Sequence, residues 1–201
     1  MSTLRTICVY CGSGPGKNPA FVEAAREFGK LLAQNNIELV YGGGSVGLMG
    51  ELAKSVLQHG GKVTGIIPDF LINREGVLPG AQNLIITKDM HERKRLMFER
   101  SDAFVALPGG AGTLEELVEQ LTWAQLGQHK KPILAASIED FWDPLCSLLE
   151  HMEALEFIRP SLAVKLLVVD KVADILPRLR EALAPVPEPE KTMKTVEPER
   201  M

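Results

Sequence analysis

The sequence predicts an α/β fold: a Rossmann-like, doubly wound, mainly parallel sheet with helices on both faces. Two observations predict it. Short apolar runs alternate with amphipathic ones along most of the chain, the pattern of strands joined by helical crossovers. Two of those strand-like runs end in glycine clusters that open straight into helical patterns. Crossovers of this kind are right-handed, and in open sheets the ligand crevice lies outside the carboxyl ends of the strands.

In chain order, Ile7 to Tyr10 reads as the first strand. A helix follows from Asn18-Pro19, a capping residue with proline at the first helical position. Ile37 to Tyr41 is the second strand, and Ser45 to His59 a helix stopped by Gly60-Gly61. Then come a strand at Val63 to Ile67, a loop holding Asn73-Arg74-Glu75-Gly76, a strand at Leu84 to Thr87 and a helix from Met90 to Arg100. Strands at Phe104 to Leu107, Ile133 to Ala136 and Leu166 to Val169 precede helices from Thr113, near Asp140 and at the end of the fold. Residues 1–184 read as one domain, and residues 185–201 as a flexible polar tail that starts at Pro185-Val186-Pro187.

Composition narrows the function. The chain has 201 residues, 45% hydrophobic and 24% charged, enough for one core of ordinary size. A formal charge of −4 argues against a general nucleic-acid surface. No apolar run approaches the ~20 residues of a membrane span, and the N-terminus leads into a strand rather than a signal sequence. Three cysteines fit a reducing cytoplasm, so a cytoplasmic location is expected. Cys8 and Cys11 form C-x-x-C, but an odd spacing on a strand sends the side chains to opposite faces. Both read as buried structural cysteines, and no group of residues shows metal-ligand spacing.

Three segments carry chemistry. In Tyr41-Gly42-Gly43-Gly44-Ser45-Val46-Gly47, the glycines at 42, 44 and 47 satisfy G-x-G-x-x-G, with Asp69 22 residues on. That invites a dinucleotide reading, against which stand its place after the second strand and the position of Asp69 beyond a strand end. Close helix–strand packing explains the same glycines without a ligand, and no P-loop lysine follows. The second segment, Pro108-Gly109-Gly110-Ala111-Gly112-Thr113-Leu114-Glu115-Glu116, is a strand-to-helix turn suited to an anion at the helix N-terminus. It also carries carboxylates, which repel phosphate and so point at another part of the ligand. Thr113 and Glu116 have capping-box spacing, which gives the glutamate a purely structural alternative. Leu114, Leu117, Val118 and Leu121 read as the buried stripe, which leaves Glu115 and Glu116 equally placed. The third segment, Met90-His91-Glu92-Arg93-Lys94-Arg95, puts cations at a helix start, where the macrodipole disfavours them unless a phosphate or an acidic partner is near. His91 reads as a partly buried neutral side chain bonded locally.

These blocks resemble the LOG ("lonely guy") family of phosphoribohydrolases. The segment from Pro108 to Glu116 is similar to P-G-G-x-G-T-x-x-E, Met90 to Lys94 to M-H-x-R-K, and Tyr41 to Gly50 to Y-G-G-G-x-x-G-L-M-G. Cys11-Gly12-Ser13 resembles the family's first loop. The resemblance implies an N-glycosidase that frees the base from purine (cytokinin riboside or adenosine) 5′-monophosphates, needs no cofactor or metal and works as a homodimer. It implies Arg93 and Glu116 as the catalytic pair. Substrate contacts would come from Ser13, Gly43, Gly44, Glu75, Lys94, Gly109, Gly110, Ala111, Gly112, Thr113, Leu114, Glu115 and Thr122. Family members are often labelled lysine decarboxylase, a name for which the sequence offers no pyridoxal-phosphate lysine. Trp123, Leu126 and Trp142 are candidates for apolar contact between subunits. The rival reading is a Rossmann protein that binds a nucleotide or cofactor without hydrolysing it.

Overall fold

Seven strands pair in the order β4-β3-β2-β1-β5-β6-β7, and every pairing is parallel. They are β1 (Thr6–Tyr10), β2 (Glu38–Tyr41), β3 (Val63–Pro68), β4 (Asn83–Thr87), β5 (Ala103–Ala106), β6 (Ile133–Ala136) and β7 (Leu167–Val169). The helices are α1 (Pro19–Gln34), α2 (Gly47–Gln58), α3 (Ile72–Glu75), α4 (Met90–Glu99), α5 (Ala111–Gln125), α6 (Asp143–Ala154) and α7 (Ile175–Leu183). This computed structural model describes residues 4–78, 80, 82–158 and 165–184; the expected tail at 185–201 lies outside the described residues.

The chain winds outward from β1 through β2, β3 and β4, then returns to the other side of β1 as β5 and winds outward again. The order therefore reverses between β1 and β5, and a crevice opens there beyond the strand ends. Strand alternation divides the core. Ile7, Val9, Leu39 and Val105 pack with α1, α2 and α7 on one face, while Tyr10, Val40, Phe104 and Ala106 pack with Met97 of α4 and Leu117 of α5 on the other. Cys8 joins the second cluster and Cys11 the first, as their spacing requires; both thiols are free, buried and pushed up by that burial.

Most element ends follow local chemistry. Asn18 caps α1, its side chain accepting from the Ala20 amide at 3.0 Å. The α2 helix begins at Gly47 rather than Ser45, because the Ser45 amide and hydroxyl both donate to the Glu75 carbonyl, at 3.0 and 3.2 Å. The segment expected as a loop holds the single turn α3, which ends at Gly76 with φ +66°. Near Asp140 there is only a 3₁₀ turn, Ile138–Asp140; α6 starts after Trp142, whose amide donates to the Ser137 hydroxyl at 2.9 Å.

The α1–α2 layer fits closely at Gly29, where an added Cβ would lie 2.8 Å from the Ser55 Cβ and close to the Leu52 carbonyl oxygen. Gly29→Ala is expected to cost about 1–3 kcal/mol by overpacking, read as a lower urea midpoint at an unchanged slope.

Candidate active site

Helix α4 is built to hold cations at its start. The Asp89 carboxylate accepts from the Glu92 amide at 2.8 Å, and Glu92 accepts from the Lys88 amide at 2.9 Å. One turn in, Arg93 is buried. Its Nη2 donates to the Gly42 carbonyl at 3.4 Å and lies 3.8 Å from Glu116 Oε1, and its Nη1 is 3.7 Å from Met90 Sδ. A Cβ on Gly42 would overlap the guanidinium, so only glycine leaves the arginine room. Lys94 pairs with Glu115 at 2.7 Å and Glu119 at 2.9 Å. An acidic neighbour thus relieves the unfavourable dipole. His91, expected to be partly buried, is exposed, because its place on α4 turns it away from the sheet.

Helix α5 removes the capping-box alternative for Glu116. Its N-cap is Gly110, Thr113 is already the third helical residue, and no side chain caps the first turn. The first amides of such a helix have no intrahelical acceptor. An added Cβ at Gly110 or Gly112 would meet nothing within 4 Å, so space is open beside them. The buried stripe is Thr113, Glu116, Leu117 and Gln120, not the one expected; Leu114 and Val118 are about two-fifths exposed. Beginning at Ala111 turns the helix so that Glu116 faces the sheet, whereas the Glu115 side chain is 54% exposed.

Glu116 and Arg93 meet at a cavity of roughly 240 Å³ at the crevice between β1 and β5. Of the expected residues, Ser13, Glu75, Arg93, Glu115, Glu116 and the turn from Gly110 to Thr113 line it. The others do not. Gly109 packs under the turn, where a Cβ would collide with the Thr113 hydroxyl and lie 2.9 Å from the Gly12 amide. Gly43, at φ +82°, backs onto Ile67, and Gly44 sits behind Glu75. Lys94 and Leu114 lie outside the lining, and the Thr122 hydroxyl donates to the Val118 carbonyl at 2.8 Å, farther along α5. Asp69, the acidic residue of the dinucleotide reading, is exposed on a 3₁₀ turn and does not line the cavity.

Seven lining residues were absent from the sequence-based set: Val9, Tyr10, Cys11, Gly12, Gly42, Met49 and Met90. Cys11, Gly12, Gly42, Met49 and Met90 sit inside the motif blocks, yet only Ser13, Gly43, Gly44, Arg93 and Lys94 were chosen from those blocks. Val9 and Tyr10 read as ordinary strand residues, and no local signal marks them.

Burial governs the electrostatics. Desolvation pushes the Glu116 carboxyl up to about 7, and the Arg93 charge only partly offsets it. Glu75 Oε2 and Arg93 Nε are buried without a hydrogen-bond partner among the described residues. The cavity thus holds two polar groups that a ligand would satisfy.

Comparison with known proteins places the chain. A family profile described as possible lysine decarboxylase matches residues 49–179. A probable cytokinin riboside 5′-monophosphate phosphoribohydrolase of Oryza sativa subsp. japonica is 43% identical over 180 residues, covering 90% of this chain and 74% of its own length. The cytokinin riboside 5′-monophosphate phosphoribohydrolase LOG3 of Arabidopsis thaliana is 42% identical over 200 residues, with 100% of this chain and 93% of its own covered. The chain belongs to the LOG family. Among solved structures, the molybdenum cofactor binding protein from Rippkaea orientalis superposes with a TM-score of 0.66 at 20% identity, covering 92% of this chain and 100% of that one. A molybdenum cofactor carrier protein from Chlamydomonas reinhardtii gives 0.66 at 22%, with 90% and 98% covered. At such identities these two share the fold of this LOG-family chain.

The raised carboxyl can be measured directly. Carbon-13 NMR of the Glu116 carboxyl is expected to titrate near pH 7. In Arg93→Met the same carboxyl should titrate higher, since the nearest positive charge is gone. A midpoint near the ordinary 4.5 in both proteins would contradict the burial argument.

Proposed function

We propose that this LOG-family chain hydrolyses the N-glycosidic bond of purine 5′-monophosphates, cytokinin riboside or adenosine, to free base and ribose 5-phosphate. The observation that carries this reading is a buried, partly ionised glutamate facing an arginine at the foot of an open helix N-terminus. In the proposed reaction the phosphate sits against the amides of the Gly110–Thr113 turn, where the helix dipole favours an anion. That anchors the ribose beside Glu116.

As the C1′–N9 bond breaks, its electron pair leaves with the base and positive charge builds on the ribose ring. Ionised Glu116 stabilises that charge and takes a proton from the water whose oxygen bonds to C1′. The departing purine gains one proton from solvent. Arg93 stays charged throughout, so it positions Glu116 and the sugar phosphate without donating a proton.

The assembly we propose is a homodimer. It is supported by apolar side chains exposed on the elements that frame the cavity: Val46 before α2, and Leu114 and Val118 on α5. Leu126, at 68% exposure, extends this set at the end of α5. Trp142 does not belong to it, because it is buried with its Nε1 donating to the Ala106 carbonyl at 3.2 Å. Trp123 packs edge-on to Phe98 and is only half-buried. Among the described residues no helix is long and apolar enough to cross a membrane. A cytoplasmic location is proposed from the free cysteines.

Glu116→Gln is expected to lower base release by about 10²–10³-fold while nucleotide binding persists. Chromatographic detection of free adenine measures it, and wild-type turnover in that variant would remove Glu116 from the chemistry. Below pH 7 the wild-type kcat/KM should fall about tenfold per unit as Glu116 takes up a proton, and it should level off above. Adenosine should react far more slowly than its 5′-monophosphate; equal rates would dismiss the phosphate anchor.

A further inference from the structure

We infer that Lys94 is a positioning residue: it bridges Glu115 and Glu119, fixes the cavity end of α4 against α5, and so sets how far Arg93 stands from Glu116. This rests on the hydrolase reading for what Glu116 does, and it adds how the pair is held at its working distance.

Three observations lead there. First, the pairing is in step: Arg93 and Lys94 are neighbours on α4, and the carboxylates they face, Glu116 and Glu115, are neighbours on α5. Glu119 lies one turn beyond Glu115 on the same face of α5, and Lys94 Nζ reaches both, at 2.7 Å to Glu115 and 2.9 Å to Glu119. Second, the bridge is shielded. The Lys94 side chain is 12% exposed. Glu119 Oε2 is buried and takes no hydrogen bond among the described residues, so Lys94 on Oε1 is what compensates that carboxylate. An exposed pair contributes little, but a pair closed off from water keeps its geometry, because parting it strands a charge. Third, the sheet leaves the spacing to side chains. Helix α4 rests chiefly on β3 and β4, whereas α5 rests chiefly on β1, β5 and β6. At their far ends the Phe98 and Trp123 rings meet edge-on, 5.2 Å apart. At the cavity end Lys94 carries the hydrogen bonds between the two helices, since Arg93 and Glu116 at 3.8 Å make none.

This role differs from the one the resemblance implies, in which Lys94 touches the nucleotide. Its ammonium lies outside the cavity lining with two carboxylates already on it. The charges around Glu116 give the two roles different signatures. Arg93 and Lys94 face it from α4, Glu115 and, one turn on, Glu119 from α5, Glu75 from α3, and Tyr10, Cys8 and Cys11 from β1 and the residue after it. Burial keeps that phenol and both thiols neutral, so the charges that matter are those on α3, α4 and α5. Removing Glu119 then has two opposed effects. As a mere charge, its loss would make Glu116 easier to ionise. As an anchor, its loss lets Lys94, and Arg93 with it, move away from α5, and Glu116 becomes harder to ionise.

The test follows kcat/KM for base release from adenosine 5′-monophosphate against pH in wild type, Lys94→Met, Lys94→Arg and Glu119→Met. The carbon-13 titration of the Glu116 carboxyl is measured in the same four proteins. Lys94→Met should lose about 3- to 10-fold at pH 7 and recover as the pH rises, because the midpoint moves up. Lys94→Arg, whose fork can span both carboxylates, should regain most of that loss. Glu119→Met should move the midpoint in the same direction as Lys94→Met. A downward move in Glu119→Met would overturn the inference by reducing Lys94 to a charge without a positioning role. Wild-type profiles in both methionine variants would overturn it too. Calorimetric affinity for adenosine 5′-monophosphate, measured in Glu116→Gln, should change less than about threefold on adding Lys94→Met, whereas a loss of about tenfold marks a substrate contact and sinks the inference. If wild type releases no base, the hydrolase reading fails instead, and the carbon-13 midpoints still decide whether Lys94 holds Arg93 and Glu116 together.

Discussion

The site depends on a charge pair that is close without being neutralised. Arg93 Nη2 stands 3.8 Å from Glu116 Oε1, beyond hydrogen-bond range, because the same nitrogen is drawn to the Gly42 carbonyl at 3.4 Å. At such a separation the attraction is about 4 kcal/mol at a protein-like dielectric. The desolvation penalty for a buried ion is several kcal/mol, of the same size. Burial wins by a modest margin, and the carboxyl comes to rest near neutrality. Had Arg93 formed a bidentate bridge, Glu116 would be a weak base with its oxygens occupied. Had Arg93 been absent, the group would stay protonated at neutral pH.

That balance is kept by packing at glycine. Gly42 lets the guanidinium lie against the β2–α2 turn, and Gly109 lets the β5–α5 turn lie against the loop after β1. Gly12 donates its amide to the Pro108 carbonyl at 3.1 Å and accepts from the Met49 amide at 3.3 Å, so one residue ties all three turns together. Gly47, at φ +60°, presses on the Ser13 carbonyl in the same junction. The three glycines of the G-x-G-x-x-G spacing are thus each accounted for by close packing, Gly42 and Gly44 against side chains and Gly47 against backbone, and Asp69 is exposed.

The sheet was legible because its cause is local: buried parallel strands read as short apolar runs, and every expected strand appears within a residue or two of its place. The α1 start was legible for the same reason, in Asn18-Pro19. The orientation of α5 was not. Apolar spacing pointed to Leu114 and Val118 as core, whereas the residues against the sheet include Thr113, Glu116 and Gln120. A functional site reverses the usual rule by burying polar groups, and periodicity cannot register a reversal. Motif spacing put Glu116 and Arg93 in the right blocks, but which glutamate faces inward needed the helix start at Ala111. The α3 turn was missed because four residues carry no period, and only Gly76 marks its end.

The reversal on α5 has one further consequence. Placing polar residues inward leaves Leu114 and Val118 facing outward beside the cavity. Placing Lys94 against Glu115 and Glu119 commits a cation that an anion would otherwise attract. Arg93 is partly engaged by Glu116. In the proposed reaction the backbone amides at the start of α5 are therefore the main element left to hold the phosphate, in a setting that already holds Glu75, Glu115 and Glu116. Amides and a helix dipole hold a phosphate by direction more than by charge, typically adding 0.3–1 kcal/mol from the dipole. In the proposed reaction this suits a product that must leave: ribose 5-phosphate keeps the phosphate contacts, so an arginine-clamped phosphate would slow its release. Orientation is what the chemistry needs from the phosphate, and the amides supply it without a surplus of affinity.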